Sequence, residues 1–134
     1  MSESAASKQA PLLKVEHLEQ YFPISRKFTV KAVDDVSFDI FPGEMYGLVG
    51  ESGSGKSTIG RAVIRLYDPT AGKIIFDGED ISGKMSVETT KHLRTNMQMI
   101  FQDPYSSINP HFSVGETVLD PLRVSKTITD KNKR

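Results

Sequence analysis

One stretch of this chain, Gly50-Glu51-Ser52-Gly53-Ser54-Gly55-Lys56-Ser57-Thr58, restricts its fold more than any other. From Gly50 to Ser57 it fits G-x-x-x-x-G-K-[ST], a phosphate-binding loop. The run before it, Glu44 to Val49, suits a buried strand. After it, Ile59, Ala62, Val63 and Leu66 recur at i, i+3, i+4 and i+7, the apolar stripe of a helix. Strand, glycine loop and helix together make an anion site. Glycines let the backbone curl until its N–H groups point inward, and the helix N-terminus adds partial positive charge. Lys56 is placed to reach the β- and γ-phosphates, and the Ser57 hydroxyl to ligate Mg²⁺. An ordinary glycine turn would not need Lys-Ser-Thr in phase with the helix. The expected ligand is a nucleoside triphosphate, held by Gly50, Glu51, Ser52, Gly53, Ser54, Gly55, Lys56, Ser57 and Thr58.

Bulk composition narrows the setting. A chain of 134 residues is one small domain, and 37% hydrophobic with 25% charged residues fits a globular protein. Seventeen basic residues balance seventeen acidic ones, so no net field favours nucleic acid or anionic lipid. The absence of cysteine excludes disulfides, thiolate metal sites and cysteine nucleophiles. No run approaches the ~20 apolar residues of a membrane span. Residues 1–11 read as a disordered polar tail without a signal-peptide core. The expectation is a cytoplasmic protein that meets a membrane only through a partner.

Local pattern supplies the remaining elements. Leu12 to Leu18 alternates as a first strand that Tyr21-Phe22-Pro23 should break, with Ile24 to Phe28 a loop. Val36, Phe38 and Ile40 alternate in a second strand, stopped by Pro42-Gly43. The helix after the phosphate loop should end near Tyr67-Asp68-Pro69. Thr70-Ala71-Gly72 reads as a turn and Lys73 to Asp77 as a strand closed by Gly78. A helix from Ser86 to about Thr95 has Ser86 as its cap, with Glu88 close behind. Gln98 to Phe101 is a short apolar strand before a loop containing Pro104 and Pro110. Val114 to Leu119 opens a helix that Pro121 should limit or kink. The last residues, from Ser125, are polar and basic. This order predicts an α/β P-loop core with an antiparallel β layer attached.

Four segments carry a resemblance to the ATP-binding subunits of ABC transporters, of the oligopeptide/dipeptide importer type. They are Val30-Lys31-Ala32-Val33-Asp34-Asp35-Val36-Ser37-Phe38, the loop with its preceding Gly47-Leu48-Val49, Arg65-Leu66-Tyr67-Asp68-Pro69-Thr70-Ala71-Gly72 with Ile75-Phe76-Asp77-Gly78, and Met99-Ile100-Phe101-Gln102-Asp103-Pro104-Tyr105-Ser106-Ser107-Ile108-Asn109-Pro110. The resemblance runs from about residue 12 to 122, and residues 12–134 are expected to be the N-terminal part of one ATP-binding domain. It implies that Gln102 reaches the metal ion and attacking water, since an amide oxygen can meet a cation without a change of charge. It implies that Asp103 to Pro110 face a membrane subunit, and that adenine stacks on an aromatic near the first strand. Phe22 matches by position, with Tyr21 and Phe28 as alternatives.

The same resemblance implies ATP and Mg²⁺ as ligands and integral membrane transporter subunits as partners. It also implies a second nucleotide-binding subunit, no nucleic acid, and a peripheral place on the cytoplasmic face of the cell membrane. Its later motifs do not appear: no leucine-serine-glycine-glycine signature, no apolar strand ending in Asp-Glu, no switch histidine. The expectation is a domain truncated at the start of its helical subdomain, whose ATPase activity belongs to the full-length subunit. A soluble ABC ATPase acting on nucleic acid or ribosomes, and a nucleotide-binding module without turnover, are the competing readings; a small-molecule kinase is a more distant one.

Several features are expected to be structural. Ile74-Ile75-Phe76-Asp77 imitates a metal-binding strand but follows Lys56 too closely and ends in Gly78. Asp80-Ile81-Ser82-Gly83 matches D-x-x-G, yet no N-K-x-D follows it. His17, His92 and His111 lack ligand spacing. Arg61 and Arg65 read as the solvated face of the helix after the loop.

Overall fold

Leu13, Val15 and Leu18 place their side chains in the core from the first strand, β1 (Leu13–Ser25). It forms an antiparallel hairpin with β2 (Phe28–Ile40), and its other edge pairs with β3 (Ala71–Phe76). The two-residue β4 (Glu79–Asp80) completes a four-stranded antiparallel sheet of order β2-β1-β3-β4. Helix α1 (Lys56–Val63) adds Ile59, Ala62 and Val63 to the core, and α2 (Val87–Asn96) adds Leu93. This computed structural model describes residues 10–103 and 108–124, divided between two compact units, Met1–Met97 and Gln98–Arg134. Residues 1–9 of the expected tail, 104–107 of the loop after Gln102 and 125–134 of the basic end lie outside the described residues.

The hairpin is irregular in a way that shapes the site. Between Val15 and Leu18, β1 takes one more residue than β2 does between Phe38 and Val36. The extra residue leaves His17 at φ 49, its N–H donating to Ser37 Oγ at 2.8 Å and its Nδ1 2.6 Å from Asp35 Oδ1. On the other edge, β3 accommodates the same bulge with Gly72, where a Cβ would stand 2.3 Å from the His17 carbonyl oxygen. Further along, Gln20 pairs with Val33 and Tyr21 with Lys31, which leaves Ala32 outside the ladder. A bulge of this kind re-aims the backbone that it frees.

The α/β class and its antiparallel layer hold, while several element boundaries move. β1 continues through Tyr21-Phe22-Pro23 rather than stopping there. Beyond Glu19 it has no β3 neighbour, so a residue without an N–H costs the ladder little on that side. The expected loop 24–28 is mostly strand, closed by a two-residue turn at Arg26 and Lys27. Helix α1 ends at Val63, which leaves Leu66 half-exposed rather than on the buried stripe. Arg65 is not on a solvated face: its side chain is 6% exposed.

Two expected strands do not form. Residues 44–49 and 98–101 have no ladder pairing among the described residues, with Met45 97%, Val49 90% and Ile100 100% exposed. An apolar run of this kind becomes a strand only between neighbours that complete its hydrogen bonds. The two motif imitations are structural. Ile74 and Phe76 are core residues of β3, Ile81 is buried, and the Ser82 N–H donates to Asp80 Oδ1 at 2.9 Å.

The Ser86 cap is present: its Oγ accepts from the Thr89 N–H at 3.0 Å, and Thr89 Oγ1 donates to Glu79 Oε1 at 2.5 Å, tying α2 to β4. In the second unit, α3 (Val114–Val124) opens on a capping box. Glu116 Oε2 accepts from the Ser113 N–H at 2.9 Å while Ser113 Oγ accepts from the Glu116 N–H at 3.3 Å. Pro121 lies inside this helix and does not end it.

Candidate phosphate-binding site

The loop 50–55 wraps around the side chain of the residue that follows it. Lys56 Nζ donates to the Gly50 carbonyl at 2.7 Å, to the Glu51 carbonyl, and to Ser54 Oγ at 3.1 Å. A turn inside the loop is closed by the Ser54 N–H on the Glu51 carbonyl at 3.2 Å. Gly55 then starts α1 as its N-cap at φ 91, a left-handed conformation that glycine adopts without Cβ strain. No side chain caps the helix and no acidic residue lies in its first turn. The first N–H groups of α1 are therefore left for an outside acceptor, and the helix dipole favours an anionic one.

Gly55 also fixes where the loop sits. A Cβ there would lie 2.3 Å from the carbonyl oxygen of Ala32, the residue that the bulge releases from the β1–β2 ladder. The loop is thus held against β2 backbone to backbone. Ser57 is exposed and Thr58 half-buried, and neither hydroxyl has a hydrogen bond among the described residues. An exposed, uncommitted hydroxyl on the first turn fits the role of a hard-cation ligand, which takes oxygen donors. Glu51, Ser52 and Gly53 line the open side of the loop and are exposed.

The three candidate aromatics separate clearly. Tyr21 is engaged: its hydroxyl donates to Asp34 Oδ1, and Lys31 Nζ lies 4.8 Å from its ring centroid. The Tyr21 hydroxyl holds the Asp34 carboxyl below its usual range, and that carboxylate raises the Tyr21 hydroxyl in turn. Phe28 is 59% exposed at the hairpin end. Phe22 is half-buried and meets the Tyr67 ring at 5.4 Å and 83°, a perpendicular contact that covers at most one of its faces. It shares a strand face with Gln20, two residues on and roughly 7 Å away by strand rise, and Gln20 pairs with Val33 next to the Gly55 contact.

Gln102 lies exposed in irregular backbone of the second unit. Tyr67 and Ala32, which the sequence does not mark as site residues, are brought to Phe22 and to the loop by tertiary packing. Ala32 sits in an alternating run with no bulge signal, and Tyr67 reads only as the end of a helix. No helix among the described residues is long and apolar enough to cross a membrane.

Known proteins are similar to this chain in sequence and in fold. The family model described as ABC transporter matches residues 33–134. The chain is 49% identical over 123 residues to the oligopeptide transport ATP-binding protein OppF of Bacillus subtilis, covering 92% of this chain and 40% of that one. It is 48% identical over 116 residues to a putative peptide import ATP-binding protein of Brucella ovis, covering 87% and 36%. Among solved structures, the dimeric bacterial ABC transporter cassette MJ0796 superposes with a TM-score of 0.73 at 26% identity, over 84% of this chain and 47% of that one. Its post-hydrolysis form bound to ADP and Pi gives 0.76 at 25% identity, over 90% and 50%. The chain therefore spans well under two thirds of these relatives, and it belongs to the ABC transporter family.

Proposed function

We propose that this chain is the nucleotide-binding part of an ATP-driven importer subunit for oligopeptides or dipeptides. The observation that carries the reading is the Lys56-centred loop against an uncapped helix N-terminus. The names of its relatives, an oligopeptide transport protein and a peptide import protein, supply the transported class.

In this reading the N–H groups of residues 50–58 take the phosphate oxygens. Lys56 Nζ exchanges its carbonyl contacts for phosphate, converting neutral acceptors into charged ones, which makes stronger hydrogen bonds. Ser57 on α1 would supply a hydroxyl oxygen for the metal, and the metal-reaching role that the resemblance implies for Gln102 belongs to the intact subunit. Mg²⁺, when bound, neutralises charge on the terminal phosphates. Phe22 offers a ring face to adenine, a contact of ~1–3 kcal/mol that reads little of the base's identity. Turnover belongs to the intact subunit, paired with a second nucleotide-binding subunit and with integral membrane subunits at the cytoplasmic face. The 134-residue chain alone binds nucleotide without turning it over.

The test is a titration of ATP into the wild-type chain and Lys56→Ala, with a turnover assay on the same samples. Binding by the wild type that the variant loses supports the reading. Equal affinity in both removes it, and turnover by the wild-type chain removes the claim that it lacks catalysis.

A further inference from the structure

Helix α1 ends in a motif whose key position is filled by the wrong residue for comfort. The Leu66 N–H bonds the Arg61 carbonyl at 2.9 Å and the Arg65 N–H bonds the Ala62 carbonyl at 3.0 Å. These are the paired bonds of a Schellman cap, whose left-handed residue is usually glycine. Here that residue is Arg65, at φ 60. A side chain at this φ is strained, and such strain persists only where surrounding contacts hold it.

Three hydrogen bonds from its guanidinium hold Arg65 there. Arg65 Nη1 donates to the Ser82 carbonyl at 2.9 Å, and Nη2 to the Gly83 carbonyl and to Asp68 Oδ1, each at 3.0 Å. The side chain is 6% exposed although its Asp68 partner is 93% exposed. A guanidinium buried to this degree on backbone carbonyls is an anchor rather than a surface charge. Ser82 is itself fixed, its Oγ accepting from the Ile74 N–H at 2.7 Å. One end of the connector between α1 and β3 is therefore bolted to the β3–β4 side of the sheet.

The other end is bolted to β1. The Thr70 N–H donates to the Glu19 carbonyl at 2.9 Å, and Thr70 Oγ1 accepts from the Tyr21 N–H at 2.9 Å. Both bonds fall on the residues just before Phe22, at Glu19 and Tyr21, where the pairing of β1 with β3 ends. Between the two fixed ends lies Tyr67, whose ring stands perpendicular to Phe22. A perpendicular neighbour fixes a ring's plane while leaving a face for another ring to stack on.

We propose that residues 65–70 form a strap that positions the base-stacking ring, with Arg65 and Tyr67 as positioning residues for the nucleotide base and no role toward the phosphates. The proposal rests on the nucleotide reading of the 50–58 loop and deepens it. The guanidinium of Arg65 sets the strap's path, which a glycine cap would leave loose.

The test uses two ligands: ATP, and inorganic tripolyphosphate, which has the phosphates without a base. Both are titrated into the wild-type chain, Tyr67→Ala, Tyr67→Phe and Arg65→Gly, with thermal midpoints on the same samples. Arg65→Gly removes the tether while relieving the left-handed strain, so loss of fold is not its expected effect. The expected result is ATP affinity down by about threefold or more in Tyr67→Ala and Arg65→Gly, a share of one stacking contact. Tripolyphosphate affinity should be unchanged, and Tyr67→Phe should match the wild type for both ligands. Parallel loss of both ligands would mean that the strap supports the fold or the phosphate loop, and would overturn the proposal. Unchanged ATP affinity in Tyr67→Ala would overturn it equally. A wild-type chain that binds neither ligand would instead remove the nucleotide reading, and the strap's purpose with it.

Discussion

Gly55 and Ala32 meet backbone to backbone: a Cβ on the glycine would stand 2.3 Å from the alanine's carbonyl oxygen. The phosphate loop and the second strand are thereby fitted at a distance that only glycine permits. Gly55 also sits at φ 91, so a side chain there meets both a collision and a strained backbone.

Gly55→Ala should therefore cost more than the ~1–2 kcal/mol of left-handed strain alone. The loop must lift off β2 or the bulge at Ala32 must shift, and either movement re-aims the N–H groups. The expected outcome is a lowered thermal midpoint together with lost ATP and tripolyphosphate binding. Gly53→Ala is the comparison: its φ of 82 is strained too, but nothing lies within 4 Å of the added carbon. If the two variants behave alike, the contact with Ala32 contributes nothing beyond strain.

Features that depend on neighbours in sequence were legible before the structure. The Lys56 loop is one, and the Ser86 cap is another, because its hydroxyl bonds an N–H three residues on. Features that depend on distant partners were not. Arg65 reads as a solvated helix residue until Ser82 and Gly83 arrive with their carbonyls. The release of Ala32 depends on how two strands share their register, which alternation cannot reveal. The apolar runs at 44–49 and 98–101 look like strands because hydrophobicity is local, whereas a ladder requires a neighbour. Alternation at Leu13 and Val15 points to His17 as the next inward residue, but the extra residue in β1 leaves His17 exposed and turns Leu18 into the core.

Phe22, with Phe28 as its alternative, is the candidate for the proposed base contact. Phe28→Ala should leave ATP affinity unchanged, since its ring lies exposed at the hairpin end. Phe22→Ala should weaken ATP binding by ~1–3 kcal/mol, with Phe22→Tyr close to neutral. Titration of the three variants decides the assignment, and a loss confined to Phe28→Ala would move the platform to the hairpin end.

Gln102 offers one neutral amide oxygen, while the 50–58 loop offers many charge-assisted contacts. Losing the weaker ligand should leave most binding intact. In an intact importer, Gln102→Ala should keep ATP affinity within roughly tenfold, about 1.4 kcal/mol, while peptide uptake falls steeply. The two measurements belong on one preparation. Normal uptake would exclude a coupling role, and a proportionate loss of affinity and uptake would make Gln102 an ordinary binding residue.

Asp80 gives the anchoring turn a pH dependence of known sign. The Ser82 N–H bonds its carboxylate at 2.9 Å and, with the Ser82 hydroxyl and nearby Lys73, holds its pKa below the usual value against the opposing effect of burial. Because the folded pKa is the lower one, the unfolded chain binds more protons on acidification. The stabilisation is complete above the ordinary aspartate value of about 4, and disappears as pH falls through the lower folded value. Asp80→Asn keeps an oxygen for the Ser82 N–H but cannot titrate. The wild type should exceed the variant in thermal midpoint at neutral pH, and that gap should narrow as pH falls below the ordinary aspartate value of about 4. Taking the difference between the two proteins cancels the carboxylates common to both, including Asp34 and Glu16, whose pKa values are also lowered. A gap that stays constant from neutral to acid would show that the Asp80 charge adds nothing to the turn on which Arg65 is anchored.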